Sequence, residues 1–234
     1  MLYTPRWYHQ FKETIDRRPN SVVKLIENTA DKKGIENFLG TAFYLNGALG
    51  AAFNTKEVSI SASVLVQKPD FSNLPEIQVP VMNPDIVRWM LLMGQMDKPT
   101  TDDEEVIYKL YYKFFSAAMP KAKLLIPLNA TSGFPDKSQG ANSFVLKEDA
   151  KFSIPVREGK DGRNSVPVFT DWKRLRMVFD EKWNGMIEEA GGMIEVFDYA
   201  INPTEYYEAG AYVSLTAFKE MQKLGEELEG RAKD

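Results

Sequence analysis

The sequence predicts an α+β protein: a mixed β-sheet flanked by helices, with a helix-rich N-terminal extension. Three observations predict it. Capped stretches with apolar residues at helical spacing occur at both ends of the chain. Short apolar or alternating runs, bounded by Pro, Gly, Asn and Ser, fill most of the region between residues 122 and 214. The 234 residues are 44% hydrophobic, enough for one large core or two small ones.

The elements follow in order. Thr4-Pro5 starts a helix, with Thr4 as N-cap, Pro5 in the first turn, and Trp7, Phe11 and Ile15 on one face. Asn20-Ser21 caps a second helix that ends at Lys32-Lys33-Gly34. Residues 37–55 carry no charge. Asn46 and three glycines break the ~20-residue apolar run that a membrane span needs. Asn46-Gly47 signals a type I′ hairpin, preferred to a buried, glycine-notched helix, which stays open. Residues 58–66 alternate as a half-exposed strand, and residues 68–80, with three prolines, form a connector.

Asn83-Pro84-Asp85 caps a helix over 86–96 whose methionine-rich stripe is expected in the core. Thr101 and Glu104 form a capping box. The acidic run 102–105 then belongs to the positive end of a helix dipole, and not to a metal site. That helix is expected to bury Ile107, Leu110, Tyr111, Phe114, Phe115 and Ala118. Strands are expected at 122–129, with Pro127 at an edge or bulge, and at 144–147, 152–157 and 166–169. Thr170-Asp171 opens a helix through Trp172, Leu175, Phe179 and Trp183, closed by Asn184-Gly185. A strand over 193–201 leaves at Asn202-Pro203. A short strand over 211–214 and a last helix capped by Thr216 complete the set, with 226–234 fraying.

Several chemistries are disfavoured. The chain has no cysteine, which removes disulfides, thiolate nucleophiles and cysteine metal sites. Its one histidine, His9, has no acid or nucleophile placed beside it by spacing and reads as a surface residue. The glycines of 130–143 lack the Gly-Lys-Ser/Thr of a phosphate loop. A net charge of −4 argues against a nucleic-acid partner. The opening residues lack a signal peptide's basic region and apolar run.

One combination carries a resemblance. The order is an apolar run through Leu124-Leu125-Ile126-Pro127, then Val166-Pro167-Val168-Phe169-Thr170-Asp171 with Leu175, then Ala200-Ile201-Asn202-Pro203, then Val213-Ser214-Leu215-Thr216. It resembles the N-terminal domain of the SseB (enhanced serine sensitivity) family of bacterial proteins, over residues 104–224. The resemblance implies an α+β fold with no established catalytic residues. It divides the chain into an N-terminal helical and hairpin extension or small subdomain (1–80), an SseB-like domain (81–224) and a fraying tail (225–234). The family's second, C-terminal domain is expected to be lacking.

The expected function is a non-catalytic, cytoplasmic interaction or regulatory domain with a protein partner or self-association, and with no cofactor, metal, nucleic acid or membrane. The first place to look for a ligand or partner surface is Phe169, Thr170, Asp171, Asn202 and Pro203. Two alternatives stand: a sensor of an amino acid or nucleotide at those strand exits, and an enzyme using Asp171 and Asp198 as an acid/base pair.

Overall fold

Residues 31–53, 58–75, 78–96, 98–132, 151–158, 162–192, 197–204 and 209–231 are described by the computed structural model of the chain. The helix expected at 4–18, with His9, the strand at 144–147 and most of the loop over 130–143 lie outside them.

Asp31 caps α1 (Lys32–Gly40), its carboxylate accepting from the Gly34 amide at 2.9 Å. Lys32-Lys33-Gly34, expected to end a helix, therefore begins one. α1 runs into a π-helical turn at Thr41–Leu45, and Gly47, at φ +74°, reverses the chain. The strand β1 (Gly50–Phe53) then pairs antiparallel with β2 (Val58–Ser61). The expected hairpin at Asn46-Gly47 is thus corrected. The dipeptide supplies a left-handed glycine as predicted, but it ends a helix instead of joining two strands. The alternating run 58–66 holds a strand only to Ser61, followed by one turn of helix, α2 (Ala62–Leu65).

α3 (Pro84–Met96) buries Ile86, Val87 and Met90, so its methionine stripe is core on this side. Asn83 accepts the first helical bond through its carbonyl, from Val87 N at 3.1 Å. Its side-chain amide does other work: it donates to the carbonyls of Lys123 at 2.7 Å and Thr170 at 2.8 Å. α4 (Asp102–Ala118) has the expected cap, Thr101 Oγ1 accepting from Glu104 N at 3.2 Å. Glu104 reaches back one residue further than a capping box requires, accepting from Thr100 N and Thr100 Oγ1. The Thr100 amide, then the Thr100 hydroxyl, hold the Glu104 carboxyl below its usual range. Its stabilising contact is present at neutral pH and lost as the pH falls through that depressed value.

Two sheets form the centre. One has the order β4 (Lys151–Ser153), β3 (Lys123–Ser132), β7 (Asn184–Glu189), all antiparallel. The other has the order β5 (Arg157–Glu158), β6 (Asn164–Val168), β8 (Asp198–Ile201), β9 (Ala211–Val213), and it is mixed because β6 and β8 run parallel. Among the described residues one bridge joins them: Leu125 and Phe169 exchange both backbone hydrogen bonds, each 2.8 Å. Pro127 does not sit at an edge. It pairs with Gly185 next to the end of the β3–β7 ladder, on the central strand of its sheet, while the irregular register lies further on, between Ala130 and Ser132.

Between β6 and β7 lies α5 (Trp172–Val178), shorter than expected. Asn184-Gly185 opens β7 instead of closing that helix. The glycine is needed for space, because a Cβ there would stand 2.7 Å from the Trp172 ring. α6 (Leu215–Arg231) follows β9, capped by Ser214 Oγ, which accepts from Ala217 N at 3.1 Å, two residues earlier than the expected Thr216. It continues to Arg231, past the expected fraying point.

Strand alternation divides the core. Leu124 and Ile126 of β3, with Val166, Val168, Tyr199, Ile201 and Val213, face α3, the C-terminal end of α4 and α6. Leu125, on the opposite face, packs with Phe169, Leu175 and Val81 under α5.

Gly47→Ala is expected to be costly. The residue would sit at φ +74° with its Cβ 2.1 Å from the Pro84 carbonyl oxygen. A loss of about 2 kcal/mol or more is expected in urea denaturation.

Candidate functional site

The parallel pairing of β6 and β8 puts both strand exits at the same end of the sheet. Thr170-Asp171 and Asn202-Pro203 therefore meet. Asn202 adopts a left-handed backbone (φ 47°), and its amide N donates to Val168 O at 2.8 Å. Its side chain accepts from Thr170 N at 3.0 Å, and donates to Thr170 Oγ1 at 3.0 Å and Ala209 O at 2.9 Å. With Asn202 donating to it, the single proton of the Thr170 hydroxyl goes to Asp171 Oδ2 at 2.9 Å, the charged acceptor.

Asp171 caps α5, Oδ1 accepting from Arg174 N at 2.9 Å. Its Oδ2 also takes Arg174 Nη1 at 2.5 Å, and both side chains are almost wholly buried, at 2% and 1% exposure. Arg174 Nη2 then donates to Asn46 Oδ1 at 2.8 Å. Only Arg174 Nε in this group lacks a partner. The Thr170 carbonyl is held by Asn83.

Phe169, Thr170, Asp171 and Asn202, expected to offer a ligand or partner surface, are therefore interior residues. A strand exit in this fold is covered by the 46–47 turn and the start of α3, so its polar groups satisfy one another. Arg174 and Asn46 were not singled out by sequence reasoning. A signal existed for Arg174: a cation in the first turn of a helix opposes the dipole unless a buried anion holds it.

Of the five residues, Asn202 and Pro203 line a pocket of about 380 Å³ beside α3, together with Met90, Leu91, Thr204 and Tyr212. Its described lining carries no charged side chain. The Thr204 hydroxyl oxygen is enclosed with no hydrogen-bond partner.

Asp198 is not brought to Asp171. It pairs in register with Ser165, at the other end of the parallel strands. There it accepts from Leu215 N at 2.8 Å and from the Tyr212 hydroxyl, with Arg163 Nε at 3.6 Å. Its carboxylate anchors the start of α6. Among the described residues, no three acidic or histidine side chains gather as a metal site, and no helix is long and apolar enough to cross a membrane.

A different surface stands out on α4. Of its expected buried face only Phe115 is fully buried, because only the last turns of the helix reach the sheet. Val106, Ile107, Leu110 and Phe114 are 66%, 41%, 46% and 43% exposed. They form one stripe at i, i+1, i+4 and i+8. Phe114 stacks on Trp89 of α3, ring centroids 4.8 Å apart, so the stripe is backed by a rigid aromatic pair.

Residues 111–190 match the family model described as the SseB protein N-terminal domain. The resemblance read over 104–224 is thus found over a shorter span, which contains β3 to β7 and the Asp171–Arg174 pair. Asn46, Asn83 and Asn202 lie outside it. No curated protein and no solved structure matches the chain.

Two substitutions separate the roles in the buried group. Asp171→Ala is expected to lose about 3–5 kcal/mol in chemical denaturation, because it strands a buried guanidinium and uncaps α5. Asn202→Gly keeps the left-handed backbone but removes the side-chain bonds to Thr170 and Ala209, for a smaller loss of about 1–3 kcal/mol.

Proposed function

We propose that the protein is a non-catalytic interaction module of SseB type, which binds a protein partner in the cytoplasm through the exposed stripe of α4. The observation that carries this reading is the contrast between two surfaces. The polar residues at the strand exits are consumed by one another, whereas the α4 stripe leaves large apolar side chains in water. Val106, Ile107, Leu110 and Phe114 together offer on the order of 300 Å² of apolar surface, the size at which the largest exposed patch of a monomer is often functional. An amphipathic helix laid along α4 fits the spacing, with basic residues toward Asp102 and Asp103.

Leu110→Glu tests the reading. The site is exposed, so thermal stability is expected to stay within about 0.5 kcal/mol of wild type. Affinity capture from the source cells is expected to recover a specific protein with the wild type and to lose it with the variant. Equal recovery by both, or a monomeric wild type that captures nothing specific, would overturn the reading.

The pocket at the exit of β8 favours a second reading, a small-ligand sensor. Its lining sets the apolar Met90 and Leu91 beside the polar Gln95 and Tyr212, room and partners for a small molecule. Thermal-shift measurement against amino acids and nucleotides separates the two, since a bound ligand stabilises by RT ln(1 + [L]/Kd). A rise in Tm at millimolar ligand supports the sensor; no rise removes it.

A further inference from the structure

α4 carries both halves of its own complement. Its acidic residues, Asp102, Asp103, Glu104 and Glu105, are confined to the first turn, and its cations, Lys109 and Lys113, follow further along. Lys109 is paired with Glu105 at 2.7 Å. Asp103 and Lys113 are both exposed, at opposite ends of the apolar stripe. They stand about 15 Å apart along the helix axis, too far to meet within one chain. Asp103, Ile107, Leu110 and Phe114 recur at intervals of four, three and four, the spacing of a seam between two packed helices.

We propose that the occupant of the stripe is a second copy of the chain, its α4 laid antiparallel to the first about a two-fold axis. The axis passes between Ile107 and Leu110, so Ile107 of one copy packs on Leu110 of the other. That register brings Lys113 of each copy level with the acidic first turn of the other, within side-chain reach of Asp103. A parallel neighbour would instead set acidic turn against acidic turn and align the two helix dipoles side by side. The inference rests on the reading of this stripe as an interaction surface and names its partner. Area sets the strength. Two stripes bring together about 600 Å² of apolar surface, and the polar flanks of the helices raise the total to about 1,000 Å². That is the floor for a specific contact and short of the ~1,600 Å² of a stable one, so the copies associate reversibly.

Charge exchange between chains tests the register. Sedimentation velocity of the full-length protein is expected to show a monomer–dimer equilibrium across micromolar concentrations, and Leu110→Glu is expected to abolish the dimer. Lys113→Glu and Asp103→Lys are each expected to raise the dissociation constant roughly fivefold, because each sets like charges across the contact. Mixed in equal amounts, these two variants are expected to recover the wild-type association, since each offers the charge that the other lacks. Such recovery has no counterpart if the two side chains act only within their own chain. A wild type that stays monomeric, a dimer that Leu110→Glu leaves intact, or a mixture no tighter than its components overturns the inference. Capture of a different protein by a monomeric wild type, lost in Leu110→Glu, removes the second copy and leaves the stripe as the contact site, so each reading fails on its own result.

Discussion

A buried ion pair holds this structure in register. Asp171 and Arg174 lie in the interior, where removing two charges from water costs several kcal/mol per ion. That cost is met only by geometry, and here the geometry is supplied from four other parts of the chain. Asn46 takes the outer amino group of the guanidinium, Thr170 donates to the carboxylate, Asn202 fixes Thr170, and Asn83 holds the Thr170 carbonyl. The helix cap, the parallel strand pair, the start of α3 and the 46–47 turn are thereby fixed relative to one another. A polar group buried in this way fixes one arrangement of the elements that meet at it, because any other would leave its charges unpaired.

Sequence reading reached the parts of this that are local. Asp171 and Thr101 as helix caps, Asn202-Pro203 as a strand exit and the buried stripe of α3 all depend on neighbours within four residues. It failed where a short motif has the same dihedral requirement in two settings. Asn46-Gly47 supplies a glycine at positive φ in a hairpin and after a helix alike; a type I′ turn would need a positive φ at Asn46 too, and there the backbone is at −94°. Asn184-Gly185 looked like a helix terminator because glycine suits one. What demands it is the Trp172 ring, a contact made across the sheet and invisible to periodicity.

The α4 face exposes a related limit. Apolar spacing correctly places Ile107, Leu110 and Phe114 on one side of the helix. Periodicity reports which residues share a face but not what covers that face, and this stripe stays open beyond the sheet. The strand exits show the converse. Their polar residues were legible as a cluster, yet their burial depends on the turn at 46–47 and on Asn83, far away in the chain.

The bond between Asn46 and Arg174 spans 128 residues of sequence. Contacts of that separation close a large loop, and loop closure must precede their reward. Asp171 stands three residues from Arg174 and costs little loop closure, whereas Asn46 is reached only when distant parts of the chain close on each other. The stretch 111–190 holds both charges and lacks all three asparagines that complete the hydrogen bonding around them.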